Sequence, residues 1–198
     1  LLPDVYLGMG QTAENVASYT GISREDQDRW GVRSHNGAEE AIKSGFFEKE
    51  ITPLTLPDGT VVSTDDGPRA GTTYEKVSQL EPVFRPDGTV TAGNACPLND
   101  GAAALVIMSD TKAKALGLTP LARIVSTGVS GLSPEIMGLG PIDATRRALA
   151  NAGMGISDID LFEINEAFAV QVLGSARELG IDEDKLNISG GAIALGHP

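Results

Sequence analysis

The sequence predicts an α/β protein in which helices pack on a layered sheet. A continuous apolar run of strand length occupies residues 102–108, two further segments rich in apolar residues occupy 121–129 and 159–164, and a helical segment lies between each of the three and the next. Strands that alternate with helices in this way are typical of α/β folds. Hydrophobic residues make up 41% of the chain and charged residues 21%, which is the composition of a globular domain with a buried core.

A long helix is the first predicted element. Ser23 is followed three residues later by Asp26, and this spacing is typical of a capping box at a helix start. The helix runs past Trp30 and ends near Gly45. Its acidic face and His35 are predicted to be in contact with solvent.

A hairpin and an irregular loop are predicted to follow this helix. Residues 51–56 and 60–63 flank a Pro-Asp-Gly turn at 57–59, which supplies the backbone angles that a hairpin needs. Residues 65–73 form a polar stretch with two glycines and a proline, a composition that breaks regular elements. We interpret this stretch as a loop that could bind a ligand.

The second half of the chain alternates between strands and helices. The apolar run at 102–108 precedes a short helix over 110–116, which Gly117 is expected to end. The remaining predicted elements are a helix after Pro141 that ends at residues 151–153, a helix over 166–179 that Asn165 caps and Gly180 closes, and a short strand over 186–189.

Charge and cysteine content exclude several classes of function. Fifteen basic and 27 acidic residues give a formal charge of -12, a field that repels nucleic acids and anionic membranes. An anionic small ligand would therefore need a local basic site. The single cysteine, Cys96, excludes an internal disulfide framework, and no apolar run has the length of a membrane-spanning helix. We expect a soluble protein in the reducing cytoplasm.

Both ends of the sequence look artificial. The chain opens at Leu1 rather than at a methionine. Pro198 has the position of a first helical residue, where the missing N–H of proline costs nothing. We expect the natural polypeptide to extend beyond both ends.

Two strand-to-helix junctions hold the residues best suited to chemistry. Asn165 follows the run at 159–164, and His197 lies at the tip of a glycine-rich turn at 190–198. Open α/β sheets place ligand crevices at the carboxyl ends of their strands, so both side chains are candidate site residues. A structural interpretation also stays open for each, with Asn165 as a helix N-cap and His197 as a histidine hydrogen-bonded at a helix start.

Simpler interpretations account for the neighbouring residues. The position of Glu166 in a first helical turn is explained by the positive end of the helix dipole more simply than by acid–base chemistry. A lone cysteine such as Cys96 is usually a small buried apolar residue, because a nucleophile would need an electropositive surrounding. Phe168 and Ala169 are predicted to belong to the core.

The two junctions closely resemble the paired signatures of the thiolases. The matching residues are Asn-Glu-Ala-Phe at 165–168 and Gly-Gly-Ala-Ile-Ala-Leu-Gly-His-Pro at 190–198. Three further segments, at 8–17, 91–95 and 100–104, fall in the order of that family across essentially the whole chain. Each segment alone is a modest match, but their combination is highly specific.

The resemblance implies a five-layered αβαβα enzyme of two similar halves, with a coenzyme A-binding loop domain inserted in the first. Residues 1–95 would form most of the loop domain, residues 96–119 the last strand region of the N-terminal half, and residues 120–198 the start of the C-terminal half. The implied partners are acyl-CoA and coenzyme A as substrates, without a prosthetic group, and further copies of the enzyme in a homodimer or homotetramer.

The resemblance also implies roles for single residues. One cysteine of the family attacks the acyl thioester and a second handles the substrate α-proton, and neither matches a residue of this sequence. His197 would activate the nucleophile and line the oxyanion hole, where Asn165 would hold a water. Arg69 would lie near a phosphate of the coenzyme. The walls of the acyl-pantetheine tunnel would include Met9, Cys96, Leu98, Met137 and Phe168.

Two alternatives to a thiolase-type acyltransferase stay open. Cys96, His197 and Asn165 could meet in space as the site of a cysteine hydrolase, although Pro97 and the apolar run after it favour a packed loop. A chain without the nucleophile could also be a non-catalytic binding fragment or scaffold. The thiolase interpretation requires instead that the nucleophile lies outside these 198 residues.

Overall fold

The computed structural model describes residues 3–198 of the chain. Helices dominate it. The α-helices are α1 (Met9–Thr20), α2 (Arg24–Lys43), α3 (Tyr74–Val77), α4 (Asp110–Ala115), α5 (Gly140–Ala152), α6 (Ala169–Leu179) and α7 (Ala192–Leu195). Short 3-10 helices occupy Pro3–Tyr6, Phe47–Lys49, Pro134–Leu139, Ile156–Asp158 and Glu183–Lys185. Two strands, β1 (Leu54–Thr55) and β2 (Val61–Val62), pair as an antiparallel hairpin.

The hydrophobic core lies where α6 packs against α1 and α2. Residues 169–176 of α6 are all buried, as expected of a central helix. Val16 of α1 and Leu173 of α6 are among the largest buried side chains, and burial of such a side chain contributes about 1.5–3 kcal/mol. The core therefore fixes the start of α6, and with it the candidate junction at 165–168.

Local signals predicted most of the helices correctly. Ser23 caps α2, since its hydroxyl accepts a hydrogen bond from the Asp26 backbone N–H at 3.0 Å. Helices α4, α5 and α6 confirm the three helices predicted in the second half, although α6 begins later than expected. The hairpin is confirmed at shorter length, and residues 65–73 hold no helix or strand. Helix α1 was not predicted.

The predicted strands differ most from the structure. Within the described residues, no strand is assigned at 102–108 or 121–129, and Leu105 and Leu121 there are 87% and 104% exposed. A strand needs a neighbour whose backbone groups pair with its own, and the described part of the chain provides none beside these segments. The strands predicted at 159–164 and 186–189 are reduced to isolated parallel bridges, one between Phe162 and Leu186 and one between Ile188 and Gly190.

The predicted layered sheet is therefore not present within residues 3–198, where the sheet has two strands only. None of the helices described in this range is long and apolar enough to cross a membrane.

Candidate active site

One short segment, residues 94–99, joins the two candidate junctions. At its beginning, Ala95 forms an antiparallel bridge with Phe168. The Cys96 backbone N–H donates to the carbonyl oxygen of Ala167 at 3.0 Å, and a second bond closes the pair from the Ala169 N–H to the Asn94 carbonyl at 2.8 Å. The segment is therefore fixed to the junction that carries Asn165.

The end of the same segment contacts the glycine-rich turn. Leu98 forms a parallel bridge with His197, and the His197 backbone N–H donates to the Asn99 side-chain oxygen at 2.8 Å. Gly196 has φ +101°, and a Cβ there would collide with the Asn99 amide. Only glycine fits this position easily, and its conformation places His197 beside residues 94–99. The imidazole itself is exposed.

Asn165 does not cap a helix, so that prediction is wrong. The residue preceding α6 is Phe168, which still has extended backbone (φ -147°, ψ 141°), and Asn165 lies four residues before Ala169. Its side chain is exposed. Between Asn165 and α6, the chain directs the side chain of Glu166 into the protein interior. The Asn165 amide is therefore free of a capping role and can serve a ligand.

Glu166 is fully buried and accepts four hydrogen bonds. Trp30 Nε1 and Asn187 Nδ2 donate to Oε1, each at 3.0 Å. The Ser34 hydroxyl and the Ile193 backbone N–H donate to Oε2, the latter at 3.2 Å. An ionised carboxylate only accepts, so four donors compensate it for the loss of water. Because Glu166 also lies three residues before Ala169, outside the first turn of α6, the helix-dipole interpretation is wrong.

Phe168 lies between the core and the site. It is half-buried, packs on the core, and meets the Phe84 ring edge to face with the ring centroids 6.1 Å apart. Phe84 also contacts Gly10 of α1, where a Cβ would collide with the ring. Met9, the first residue of α1, is thereby placed next to the Phe84–Phe168 pair, and its side chain is half exposed.

Met137 approaches the same junction from another element. It belongs to the 3-10 helix Pro134–Leu139, and the adjacent Gly138 packs against the side chain of Gln171. Gln171 in turn accepts a hydrogen bond from the Phe168 N–H at 3.3 Å. Met137 is 47% exposed and Leu98 fully exposed. The structure thus places the four predicted apolar wall residues on segments that contact one another, and the side chains of Met9, Met137 and Leu98 are half to fully exposed.

Cys96 is a half-buried thiol on the linking segment. Burial raises its pKa above the ordinary value, which reduces the thiolate fraction at neutral pH. A cysteine nucleophile needs the opposite environment. The interpretation of Cys96 as a small packed residue agrees with this surrounding better than the cysteine hydrolase alternative does.

Arg69 lies on the loop at 65–73, which α2 holds in place. The Arg69 backbone N–H donates to Nδ1 of His35 at 3.2 Å, and the Gly71 N–H donates to a Glu39 carboxylate oxygen at 3.1 Å. His35 is buried, so the prediction that it is solvated is wrong. Burial, together with the charge of Arg69, lowers the His35 pKa, which favours the neutral imidazole that can accept this bond.

The loop also contacts the turn that carries His197. Gly67 lies so close to the Ala194 carbonyl oxygen in α7 that a Cβ at Gly67 would be 2.6 Å from it. The Arg69 side chain itself is exposed. The structure links Arg69 to the glycine-rich turn through this loop, and the segment at 94–99 joins the two junctions that carry Asn165 and His197.

This arrangement is half of a thiolase fold. The chain superposes on the crystal structure of the Bacillus anthracis acetyl-CoA acetyltransferase with a TM-score of 0.94 and 50% identity, covering 97% of this chain and 50% of that one. It matches the crystal structure of human mitochondrial 3-ketoacyl-CoA thiolase in complex with CoA at the same TM-score and 46% identity, covering 99% of this chain and 49% of the human one.

Sequence comparison gives the family. Residues 3–111 match the thiolase N-terminal domain and residues 118–198 the thiolase C-terminal domain, so the chain belongs to the thiolase family. It is 54% identical over 194 residues to the acetyl-CoA acetyltransferase of Pseudomonas aeruginosa, which covers 96% of this chain and 49% of that enzyme. The chain thus spans about half the length of the relatives it matches.

Proposed function

We propose that these residues act within a complete thiolase that carries out reversible thiolysis of 3-ketoacyl-CoA and the reverse Claisen condensation of acyl-CoA. The reaction passes through an acyl-cysteine whose cysteine lies outside this chain. The observation that carries the proposal is the segment at 94–99, which pairs with Phe168 at one end and His197 at the other. It unites the two thiolase signatures in one place.

Thioester chemistry gives His197 and Asn165 distinct tasks in this proposal. Thiolysis and condensation both develop negative charge on a thioester oxygen, and a preorganised donor at such an oxygen contributes about 2.7–4 kcal/mol. A His197 N–H and a water held by Asn165 would supply two donors. An imidazole also suits removal of a thiol proton near neutral pH. Both side chains are exposed, so a substrate can reach them.

The remaining parts of the proposal concern the whole enzyme. We infer a five-layered αβαβα fold in which residues 1–95 belong to the coenzyme A-binding loop domain, 96–119 to the N-terminal half and 120–198 to the C-terminal half. The exposed apolar side chains at 102–108 and 121–129 support it, since additional strands would cover them. The resemblance to the family implies a homodimer or homotetramer, and the single cysteine favours a reducing compartment such as the cytoplasm.

The proposal is tested by the separated chain. A verified preparation of residues 1–198 should not thiolyse acetoacetyl-CoA, because it lacks the nucleophile, whereas the complete enzyme should. The same preparation should bind a dye such as anilinonaphthalene sulfonate strongly, because its apolar segments are exposed. Turnover by the separated chain would contradict an external nucleophile, and an inactive complete enzyme would favour the non-catalytic scaffold.

Coenzyme A recognition gives a second test. Arg69 is an exposed cation on the loop at 65–73, and a chain with a charge of -12 needs such a local basic site to bind a phosphate. In the complete enzyme, Arg69→Ala should raise KM for coenzyme A and leave kcat nearly unchanged, because a remote phosphate contact stabilises ground and transition states alike.

Lys49→Ala is the matched control for Arg69→Ala. Lys49 is also an exposed cation of the first half of the chain, so its removal changes the net charge equally without touching the loop. Steady-state kinetics with varied coenzyme A should show the KM change for Arg69→Ala alone. A fall in kcat at constant KM would place Arg69 at the chemistry instead.

A further inference from the structure

We propose that Glu166 is a positioning residue that fixes the turn carrying His197 against α2. The inference rests on the proposed function, in which His197 takes part in catalysis. Glu166 follows Asn165 directly, yet its carboxylate is fully buried while the Asn165 side chain is exposed. At this junction, Asn165 therefore faces the candidate site, and Glu166 belongs to the buried structure that supports it.

The carboxylate of Glu166 connects three separate segments. Trp30 and Ser34, one helical turn apart on α2, each donate one hydrogen bond to it. Asn187 donates from the chain just before the glycine-rich turn, and the Ile193 N–H donates from α7. Because the donors come from distant parts of the sequence, the carboxylate sets where α2, Asn187 and α7 lie relative to one another.

The backbone of the turn packs directly on the side chains of this support. A Cβ at Gly191 would overlap the Glu166 carboxylate, at 2.6 Å from Oε2. The Ser34 hydroxyl also accepts a hydrogen bond from the Gly191 N–H at 3.1 Å. Residues 191–193 therefore take their position from Glu166 and Ser34, and His197 follows four residues after Ile193. A displacement of α7 would move His197 directly.

Four donors require an acceptor with two oxygens. In Glu166→Gln, the amide oxygen can keep Trp30 and Asn187, and the amide nitrogen can donate to the Ser34 hydroxyl. The Ile193 N–H then faces an N–H group and loses its partner, so the bond that fails is the one that holds α7. A buried donor left without a partner is destabilising. Glutamine should therefore break the hydrogen bond to the Ile193 N–H, which holds α7, and keep the bonds to the other three partners.

The Arg69 end of the loop at 65–73 should follow this movement little: Gly67 contacts α7, but the backbone N–H groups of Arg69 and Gly71 are held by α2. His35 and Glu39 on α2 fix the loop, and neither bonds to Glu166. Loss of the Ile193 bond should thus disturb the chemistry at His197 and spare coenzyme A binding. A purely structural role for Glu166 would lower kcat and coenzyme A affinity together through partial unfolding.

The test compares Glu166→Gln with Glu163→Gln in the complete enzyme. Glu163 is an exposed carboxylate three residues earlier on the same segment, so its substitution removes the same charge without breaking the network. Glu166→Gln should lower kcat about 10- to 100-fold, since small misplacement of a catalytic group has effects of this order, with an unchanged KM for coenzyme A. Hydrogen exchange over residues 190–197 should speed up, and Glu163→Gln should alter neither quantity.

Ser34→Ala provides a milder variant in case Glu166→Gln fails to fold. It removes one donor to the carboxylate and the acceptor of the Gly191 N–H, so exchange over 190–197 should also speed up, by less. Unchanged exchange and kcat in Glu166→Gln would overturn the proposal, as would an equal loss of kcat in Glu163→Gln. If the complete enzyme shows no thiolysis, the proposed function is refuted. Hydrogen exchange over residues 190–197 still tests whether Glu166 positions the turn.

Discussion

His197→Ala in the complete enzyme is expected to lower kcat far more than Asn165→Ala. Loss of one oxyanion donor lowers kcat by about 10²–10³, which is the effect expected for Asn165→Ala. His197 is proposed to donate to the same oxygen and also to accept the proton of the nucleophile, and loss of a general base adds a factor of about 10²–10⁴. The two effects of His197→Ala need not multiply fully. Single-turnover kinetics with acetoacetyl-CoA measures both variants.

The rate of cysteine alkylation separates the two roles. Iodoacetamide reacts with the thiolate, so His197→Ala should slow labelling of the nucleophile at neutral pH and let it recover toward the free-thiol pKa of about 8.5. Asn165→Ala should label like the parent, because its water contacts the thioester oxygen and not the thiol. If His197→Ala labels as fast as the parent at pH 7, the histidine is not the activating base, and its place on the turn is structural.

Helix ends could be predicted because their causes are local. The Ser23 hydroxyl reaches an N–H three residues away, and Gly153 and Gly180 adopt φ +68° and +70° at the ends of α5 and α6. These features depend on a few consecutive residues, which a sequence shows directly. The start of α6 depends instead on Glu166, whose partners lie up to 136 residues away. That start was predicted wrongly.

Strands and buried polar groups depend on partners that a local pattern does not reveal. The apolar run at 121–129 indicates residues that favour burial, but whether they form a strand depends on a neighbouring strand. His35 looks polar on its helix, and the loop at 65–73 nevertheless covers it. One feature of the sequence is consistent with the burial of Glu166. Trp30 and Ser34 are four residues apart, so their donors share one face of α2.

The sequence indicates candidate site residues, but it does not indicate how they come together. The glycine-rich turn and the Asn-Glu junction indicated His197 and Asn165 as candidate site residues, in agreement with the resemblance to the family. The pairing of Leu98 with His197 joins residues 99 positions apart, and nothing in the sequence near either residue indicates it. The resemblance to the family implied tunnel-wall positions for Cys96 and Leu98, while the role of residues 94–99 in joining both junctions needed coordinates.

Gly190→Ala should destabilise the protein and disable the site together. Gly190 has φ +79°, and a Cβ there would lie 2.5 Å from the Ser34 carbonyl oxygen and 2.6 Å from the Ala38 backbone nitrogen. Left-handed backbone costs alanine about 1–2 kcal/mol, and forcing a methyl group against a packed helix costs about 1–3 kcal/mol more. The sum is about 2–5 kcal/mol. The denaturant midpoint and kcat of the complete enzyme should both fall.

Gly180→Ala isolates the steric part of this effect. Gly180 ends α6 with φ +70° and has open space where a Cβ would lie, so alanine there meets the same backbone strain without the collision. It should lower the denaturant midpoint by the strain alone and leave kcat unchanged, because Gly180 lies at the far end of α6 from the junction. The contradicting outcome is an equal shift of the midpoint in both variants with kcat unchanged in both. Close contact between the turn and α2 would then not be what positions His197.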